Sequence, residues 1–179
     1  MTDRKPTRAM IDCETLGTEP GCVVLSIGAV RFGADGPTEE CSVSISMTDA
    51  QREGLDIDAE TLEWWLTQDA AAREQLRGGT ELEQALLTLT SFVSDADEIW
   101  ANSPKFDCGI LEAAYEAVGV AVPWEFYELR DYRTLSELPV APELEQDGVA
   151  HDALDDARYQ ARVAAATLER LDAVTEADR

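Results

Sequence analysis

Three patterns of apolar and polar positions follow one another near the start of this 179-residue chain. Residues 7–13 and 22–32 are dense in apolar and β-branched side chains, which predicts two buried strands. Residues 40–47 alternate polar and apolar, as a half-buried strand does, and residues 34–37 (Ala-Asp-Gly-Pro) carry a turn signal before them. We therefore expect the chain to open with three strands that form an antiparallel meander.

The remainder of the chain is mostly helical in pattern. Asp58 precedes an apolar-periodic run and is typical of a helix cap. Further predicted elements are helices over 81–93 and 108–118, strands over 98–101 and 127–132, a short helix through 138, a loop over 139–149, and a long Ala-rich helix from His151 to about residue 174. With no repeat and no linker, the pattern predicts one α/β domain over 1–179, with its core at about 7–174.

Cellular location and cysteine chemistry are constrained by what the sequence does not contain. No apolar run approaches the ~20 residues needed to span a bilayer, and the charged start lacks the apolar segment of a signal peptide. We therefore expect a cytoplasmic protein with no membrane contact. The four cysteines form no CxxC pair, which favours buried free thiols over a disulfide scaffold, a zinc site or a thiol nucleophile.

The charge of the chain is strongly negative. It has 37 acidic and 14 basic residues, a net charge of −23, and only two lysines, Lys5 and Lys105. Either an acidic interaction surface or adaptation to high salt explains this excess, and the even spread of acids favours a halophilic source. The basic surface expected of a nucleic-acid-binding protein is missing, so binding of a polyanion would depend on metal ions, stacking and a few arginines.

A set of carboxylates is spaced so that it can form one site. Asp12 and Glu14 end the first apolar run, and side chains two apart on a strand face the same side. Asp107 follows a short strand at the start of a helix, and Asp156 lies five residues after His151. Four adjacent carboxylates need cations, and their hard oxygens suit two Mg²⁺ or Mn²⁺ ions in a phosphoryl-transfer site.

Each of these residues also has an interpretation without function. An Asp-x-Glu pair among 37 acids is more often a solvated surface pair, but Asp12 follows an apolar run where such a pair is out of place. A lone histidine is more often structural, yet His151 opens an Ala-rich helix beside acids. Neutral histidine is suited to accept a proton near neutral pH. Asp152 and Asp155 are expected to be surface residues.

Three motifs resemble those of the DEDDh family of 3′→5′ exonucleases, which have a ribonuclease H-like fold. They are Asp12-Cys-Glu14-Thr15, the segment from Asn102 to Phe106-Asp107, and His151-Asp-Ala-Leu-Asp-Asp156, in the family's order along nearly the whole chain. The resemblance implies a mixed β-sheet flanked by helices. The resemblance is closest to the branch of phage DexA exonucleases and mycobacterial RNase T-like exoribonucleases, which share the further segments Leu16-Gly17, residues 26–30, Trp64-Trp65, Arg130-Asp131 and Arg133-Thr134.

The resemblance implies a role for each matched residue. Asp12, Glu14, Asp107 and Asp156 would hold two divalent cations, and His151 would be the general base. The substrate would be a single-stranded RNA or DNA 3′ end, and the products nucleoside 5′-monophosphates. The segment Thr15-Leu16-Gly17 would meet the terminal nucleotide, with Leu16 against its base. Many members of the family are dimers, so a homodimer is a further expectation.

Other candidate substrate contacts carry two interpretations. Adjacent helical side chains diverge by about 100°, so one of Trp64 and Trp65 packs in the core while the other is free to stack on a base; Trp65 is taken as the substrate contact. Arg133 binds phosphate or pairs with an acid, and Arg130 is expected to pair. Asn102 holds substrate or caps its loop.

Two other functions compete with an exonuclease. A non-catalytic nucleic-acid- or polymerase-binding module on the same fold is one, although decay of activity would erase motif residues and all five remain. An acidic protein that binds divalent ions without specificity is the other, and it gives no reason for His151 or for the order of the motifs.

Overall fold

A computed structural model describes residues 7–149 and 151–177, with side chains as far as residue 175. The strands in these ranges are β1 (Arg8–Thr15), β2 (Val24–Gly33), β3 (Gly36–Ser44), β4 (Glu98–Ala101) and β5 (Leu129–Asp131). The helices are α1 (Met47–Arg52), α2 (Ala59–Thr67), α3 (Leu82–Val93), α4 (Asp107–Val118), α5 (Tyr132–Ser136) and α6 (Ala153–Ala177), with 3₁₀ turns at Ala72–Leu76 and Phe126–Glu128. The predicted domain 1–179 also includes residues 1–6, 150 and 178–179, which lie outside the described residues. None of the helices described is long and apolar enough to cross a bilayer.

The five strands of the described ranges form one mixed sheet in the order β3-β2-β1-β4-β5. The first three are antiparallel neighbours, and β4 and β5 run parallel to β1. This confirms the predicted meander and mixed α/β sheet. Parallel strands need a long crossover, which α1, α2 and α3 supply between β3 and β4. The carboxyl ends of β1, β4 and β5 therefore lie at one edge of the sheet, where the residues that follow them meet.

Alternate side chains of β1 face opposite sides of the sheet. Ile11 points into the larger apolar layer, which is shared with α3 and α4. Met10 points into a smaller layer, where Ala161 and other small residues of α6 pack. Asp12 and Glu14 fall on the Met10 side by the same alternation. The strand therefore directs both carboxylates toward α6.

The start of α6 rests directly on β2 because Gly28 has no side chain. Gly28 is the register partner of Asp12 in the sheet. A Cβ at Gly28 would lie 2.2 Å from the carbonyl carbon of Ala153, far inside van der Waals contact. No larger residue fits without a shift of this helix terminus. Gly28 therefore sets the distance between the start of α6, which carries Asp156, and the sheet.

Some predicted boundaries are wrong for local reasons. The strand expected to reach residue 47 ends at Ser44, because the Ser46 hydroxyl caps α1 and accepts from the backbone N–H of Asp49 at 3.3 Å. The strand expected over 127–132 is confined to β5, since a 3₁₀ turn precedes it and Tyr132 already belongs to α5. The short helix α5 ends at Ser136 rather than 138.

All four cysteines are free thiols, as predicted. Cys13, Cys22 and Cys108 are buried, and Cys41 is half-buried. Burial raises the pKa of the Cys13 thiol well above its usual value, and nearby carboxylates add to that effect. The thiols therefore serve as small apolar side chains rather than as nucleophiles.

Candidate active site

Three carboxylates converge where the end of β1 faces α6. One oxygen from each of Asp12, Glu14 and Asp156 lies within 4.8 Å of the other two. The two-residue period of β1 places Asp12 and Glu14 on one side, and Asp156 meets them from the first turn of α6. Residues 144 positions apart in sequence thus lie close together in the fold.

Asp107 lies beside this trio, but backbone groups hold its carboxylate. It is the first residue of α4 and is 3% exposed. Its Oδ1 accepts from the backbone N–H of Cys13 and its Oδ2 from that of Ser103, each at 3.3 Å. After burial, its negative charge is among the causes that raise the pKa of Asp12 and of Glu14. Asp107 belongs to the same acidic site, although its oxygens are not among the three that converge.

Burial and mutual repulsion favour protonated carboxyl groups here. Burial is the largest cause that raises the pKa of Asp12 well above its usual value, followed by the charge of Asp107. Burial, then the charges of Asp156 and Asp107, raises the pKa of Glu14 to about 8. Burial also raises the pKa of Asp107 to about 6 and that of Asp156 above its usual value. Without a cation, the charged forms of these carboxyl groups are therefore less favoured than those of exposed carboxylates.

The donor set fits a hard divalent cation. Carboxylate oxygens are the ligands that Mg²⁺ and Mn²⁺ prefer, and three of them already point to one place. A bound cation would offset the repulsion and the burial that now favour protonation. The nearby thiol of Cys13 donates to the Asp107 Oδ1, at 3.6 Å.

His151 lies in a left-handed turn immediately before α6. Its φ is 63°, which is uncommon for a residue with a side chain. The prediction that the helix begins at His151 is wrong, because Asp152 caps it: the Asp152 Oδ1 accepts from the backbone N–H groups of Leu154 and Asp155, each at 3.1 Å. His151 lines a cavity of about 420 Å³ together with Asp12 and Asp156. The imidazole is therefore placed to exchange protons with a molecule held beside the carboxylates.

The two acids expected on the surface next to His151 are half-buried and hydrogen-bonded. Besides capping α6, Asp152 accepts from the Gln75 amide at 3.0 Å. Asp155 accepts from the backbone N–H of Val149 at 2.9 Å and pairs with Arg158 at 2.6 Å. That prediction is wrong because exposure was inferred from residue type alone, whereas a helix N-terminus gives acidic side chains backbone partners.

Two glutamines that sequence reasoning missed donate to the site carboxylates. The Gln160 Nε2 lies 2.8 Å from the Asp12 Oδ1, and the Gln146 Nε2 lies 2.5 Å from the Asp156 Oδ1. Gln160 follows Asp156 by four residues on α6, so the helical i,i+4 spacing was a usable signal. Gln146 comes from the loop over 139–149, and no sequence pattern marks it.

A second cleft, of about 490 Å³, opens on the other side of Glu14. Thr15, Gly17 and Trp64 line it, and the Trp64 side chain is 42% exposed. Gly17 has no room for a side chain, since a Cβ there would lie 2.5 Å from that of Cys22. The cleft therefore has no side chain at residue 17, and the exposed Trp64 forms an aromatic wall.

Leu16 and Trp65 are buried beneath this cleft. Leu16 is 0% exposed in the larger apolar layer, and Trp65 is 1% exposed, with its Nε1 donating to the Thr15 carbonyl at 2.9 Å. The structure thus confirms that one tryptophan packs in the core and the other is exposed, but the exposed one is Trp64. Trp65 nevertheless lines the cleft, so direct contact of a base with it stays a prediction, whereas contact with Leu16 requires that side chain to become exposed.

Asn102 and Arg133 meet at the carboxyl end of β4. The backbone N–H of Arg133 donates to the Asn102 carbonyl at 3.3 Å, and Asn102 lines the same cavity as His151. The exposed Arg133 guanidinium has no hydrogen bond or ion pair within residues 7–149 and 151–177. Arg130 is paired, as predicted, with the Glu98 carboxylate at 3.6 Å.

Solved structures share this fold at low sequence identity. The nuclease domain of 3′hExo, a DEDDh family member bound to rAMP, has 11% identity and a TM-score of 0.64, with 95% of each chain covered. E. coli exonuclease I in complex with a dT13 oligonucleotide has 15% identity and a TM-score of 0.63; the match covers 95% of this chain and 41% of that one. A full-length 3′-exonuclease has 13% identity and a TM-score of 0.62, with 92% and 82% covered. These likenesses establish the ribonuclease H-like exonuclease fold.

The amino-acid sequence identifies the family of the chain more narrowly than the fold does. No curated protein matches the chain. The family model described as "3'-5' exoribonuclease Rv2179c-like domain" matches residues 7–168, a range that includes the converging carboxylates, His151 and both clefts beside them. Because that match extends over most of the 179 residues, the chain belongs to the family of Rv2179c-like 3′-5′ exoribonuclease domains.

Proposed function

We propose that this protein is a 3′→5′ exonuclease that removes nucleotides from single-stranded RNA or DNA and releases nucleoside 5′-monophosphates. The observation that carries this proposal is the convergence of Asp12, Glu14 and Asp156 within 4.8 Å, in a chain that belongs to an exoribonuclease family. The family description makes RNA the first substrate to test. A kinship with the DexA and mycobacterial RNase T-like branch is part of the same proposal.

The residues that would hold two divalent cations, Mg²⁺ or Mn²⁺, are Asp12, Glu14, Asp107 and Asp156. When bound, such cations polarise a phosphodiester and stabilise the charge that develops on its oxygens. His151 accepts the proton of the attacking water, for which its place beside Asp12 and Asp156 is suited. Asp107 would contribute its carboxylate, whose two oxygens each accept a long backbone hydrogen bond of 3.3 Å.

The terminal nucleotide occupies the cleft beside Glu14. Thr15 and Gly17 offer backbone groups to the sugar, and the exposed Trp64 ring offers a stacking surface to the base. Leu16 and Trp65 support this cleft from the core. Upstream nucleotides pass Asn102, and the exposed Arg133 guanidinium binds a phosphate. Stacking and cations thus take the place of a basic surface in a chain of net charge −23.

The test is cleavage of 5′-labelled RNA and DNA of one sequence, with Mg²⁺ or Mn²⁺, at low and high salt. The wild type should shorten the substrate from its 3′ end. Substitution of a residue that only orients a metal ligand typically lowers activity ~10–100-fold, and Asp12→Asn should lower it further because Asp12 would be a ligand itself. The faster substrate decides between RNA and DNA. Absence of cleavage by the folded wild type in every condition contradicts the proposal and favours a non-catalytic binding module. Cytoplasmic location, a homodimer and a halophilic source stay predictions.

A further inference from the structure

Gln160 is the buried polar side chain of the site to which neither the motifs nor the proposed mechanism gives a role. It lies on α6, is 6% exposed, and lines the cavity that also contains Asp12, His151 and Asp156. Its Nε2 donates to the Asp12 Oδ1 at 2.8 Å. When a cation is bound, the Asp12 carboxylate is ionised and can only accept hydrogen bonds, so the amide nitrogen is the group that faces it. This fixes the opposite direction for the amide oxygen.

The Gln160 Oε1 is buried and has no hydrogen-bond partner among the described residues. Buried acceptors without a partner are rare in folded proteins, and each calls for an explanation such as a role in catalysis or a bound water or ion. The only other buried side-chain atom of this kind in residues 7–149 and 151–175 is the Ser26 hydroxyl. The unpartnered oxygen of Gln160 therefore belongs to a group that already contacts a proposed cation ligand.

We propose that Gln160 is a positioning residue for the cation site, an inference that rests on the proposed function. Its Nε2 holds the Asp12 carboxylate so that the second oxygen of that group is free for the cation. Its Oε1 accepts a hydrogen bond from a water in the hydration shell of that cation, because Mg²⁺ keeps several of its waters when bound to protein carboxylates. This hydrogen bond would give the buried Gln160 Oε1 a partner.

The position of Gln160 distinguishes it from Gln146. Both amides donate to a site carboxylate, but Gln146 is exposed and comes from the loop over 139–149. Gln160 lies within α6, four residues from Asp156, and its side chain contacts Asp12 of β1. A cation can displace Gln146 from Asp156 by a loop movement. Gln160 stays in place and has to be part of the occupied site.

The experiment measures cation binding without nucleic acid, by calorimetric titration of Mn²⁺ into the wild type and into Gln160→Met. The methionine has a similar volume, no donor, and only a weakly accepting sulfur in place of the amide oxygen. We expect the dissociation constant to rise about 10-fold or more, as for other groups that orient metal ligands. Gln84→Met, on the exposed face of α3, is the matched control and should bind Mn²⁺ as the wild type does.

A thermal unfolding midpoint measured in EDTA separates positioning from folding. A purely structural role predicts a lower midpoint in EDTA with the Mn²⁺ dissociation constant of the folded protein unchanged, and that result overturns the proposal. Should Gln160→Met fail to fold, Gln160→Asn decides, because it keeps both polar groups on a chain too short to reach Asp12 and should also weaken Mn²⁺ binding. Absence of Mn²⁺ binding by the wild type contradicts the proposed function itself, whereas equal binding by wild type and variants contradicts only the role of Gln160.

Discussion

The Trp64 indole meets the His151 imidazole edge to face, with 4.8 Å between ring centroids and an interplanar angle of 84°. The buried Trp65 ring lies 6.2 Å from the same imidazole. His151 has a positive φ, a conformation that persists only where the surroundings hold it. The two adjacent tryptophans of α2 therefore fix both the turn and the ring of the proposed general base.

Truncation of Trp64 should lower kcat more than it raises KM. An edge-to-face aromatic pair contributes about 0.5–1.5 kcal/mol, so Trp64→Ala should reduce kcat roughly 2- to 10-fold if that contact orients His151 in the transition state. Trp64→Phe keeps an aromatic edge and should recover most of the loss. Steady-state kinetics on a labelled oligonucleotide measure both constants.

The imidazole can be followed without interference, because His151 is the only histidine of the chain. In ¹⁵N-labelled protein, its ring resonances should shift and broaden in Trp64→Ala and remain close to wild type in Trp64→Phe. A rise in KM with unchanged kcat and unchanged ring resonances contradicts a positioning role and leaves Trp64 as a stacking surface for the base.

Stability of the metal-free protein should fall as the pH rises from about 5 to about 8. Burial and nearby charges raise the pKa of folded Glu14 to about 8, whereas glutamate in an unfolded chain titrates near ~4.3. Between these values the folded state binds a proton that the unfolded state has released. The free energy of unfolding therefore decreases with rising pH. Thermal midpoints in EDTA at fixed ionic strength measure the trend.

Glu14→Gln is the control for this pH dependence, since the amide keeps the shape and removes the titrating group. Its midpoint should fall less steeply over the same range, while the many exposed acids affect both proteins equally. Mg²⁺ should raise the wild-type midpoint most at the high end, where carboxylates are free to bind it. Parallel pH profiles of wild type and Glu14→Gln contradict the assignment of the proton to Glu14.

Arg133→Ala should weaken binding of any sequence. The guanidinium is exposed next to Asn102, and a charge-assisted contact with phosphate that is worth about 1 kcal/mol corresponds to a roughly 5-fold rise in KM. The slope of the logarithm of the binding constant against the logarithm of the salt concentration should fall in magnitude by about 1. Arg170→Ala is a suitable control, because position 170 lies 14 residues beyond Asp156 on α6, about 21 Å along the helix. Equal salt dependence of wild type and Arg133→Ala refutes the contact.

Sequence pattern predicted the parts of this site that depend on local periodicity. The strand period brought Asp12 and Glu14 together, and motif order added Asp156 and His151. Contacts between residues of distant segments could not be predicted from sequence pattern. The loop glutamine Gln146, for example, reaches the site only through the tertiary structure. The expectation that Asp152 and Asp155 are plain surface residues was wrong for the same reason, because a helix terminus and a neighbouring turn supply hydrogen-bond partners for them. The sequence thus predicted where the helices and strands lie along the chain, but it did not predict how they pack against one another.

Gly28→Ala should damage both stability and activity, because its effect passes through α6. The added Cβ would lie 2.2 Å from backbone atoms of Ala153, which cannot move as a flexible side chain can. Forced repacking of this kind costs about 1–3 kcal/mol, measured as a lower free energy of unfolding in urea. Relief of the clash by a shift of α6 would also carry Asp156 and the His151 turn away from Asp12, so kcat should fall in the fraction that remains folded.

Gly33→Ala is the matched control at the end of the same strand, where a Cβ meets nothing within 4 Å. Equal unfolding free energies for the two alanine variants would show that α6 is not seated on β2 at Gly28, and that another contact sets the distance between the two carboxylate-bearing elements.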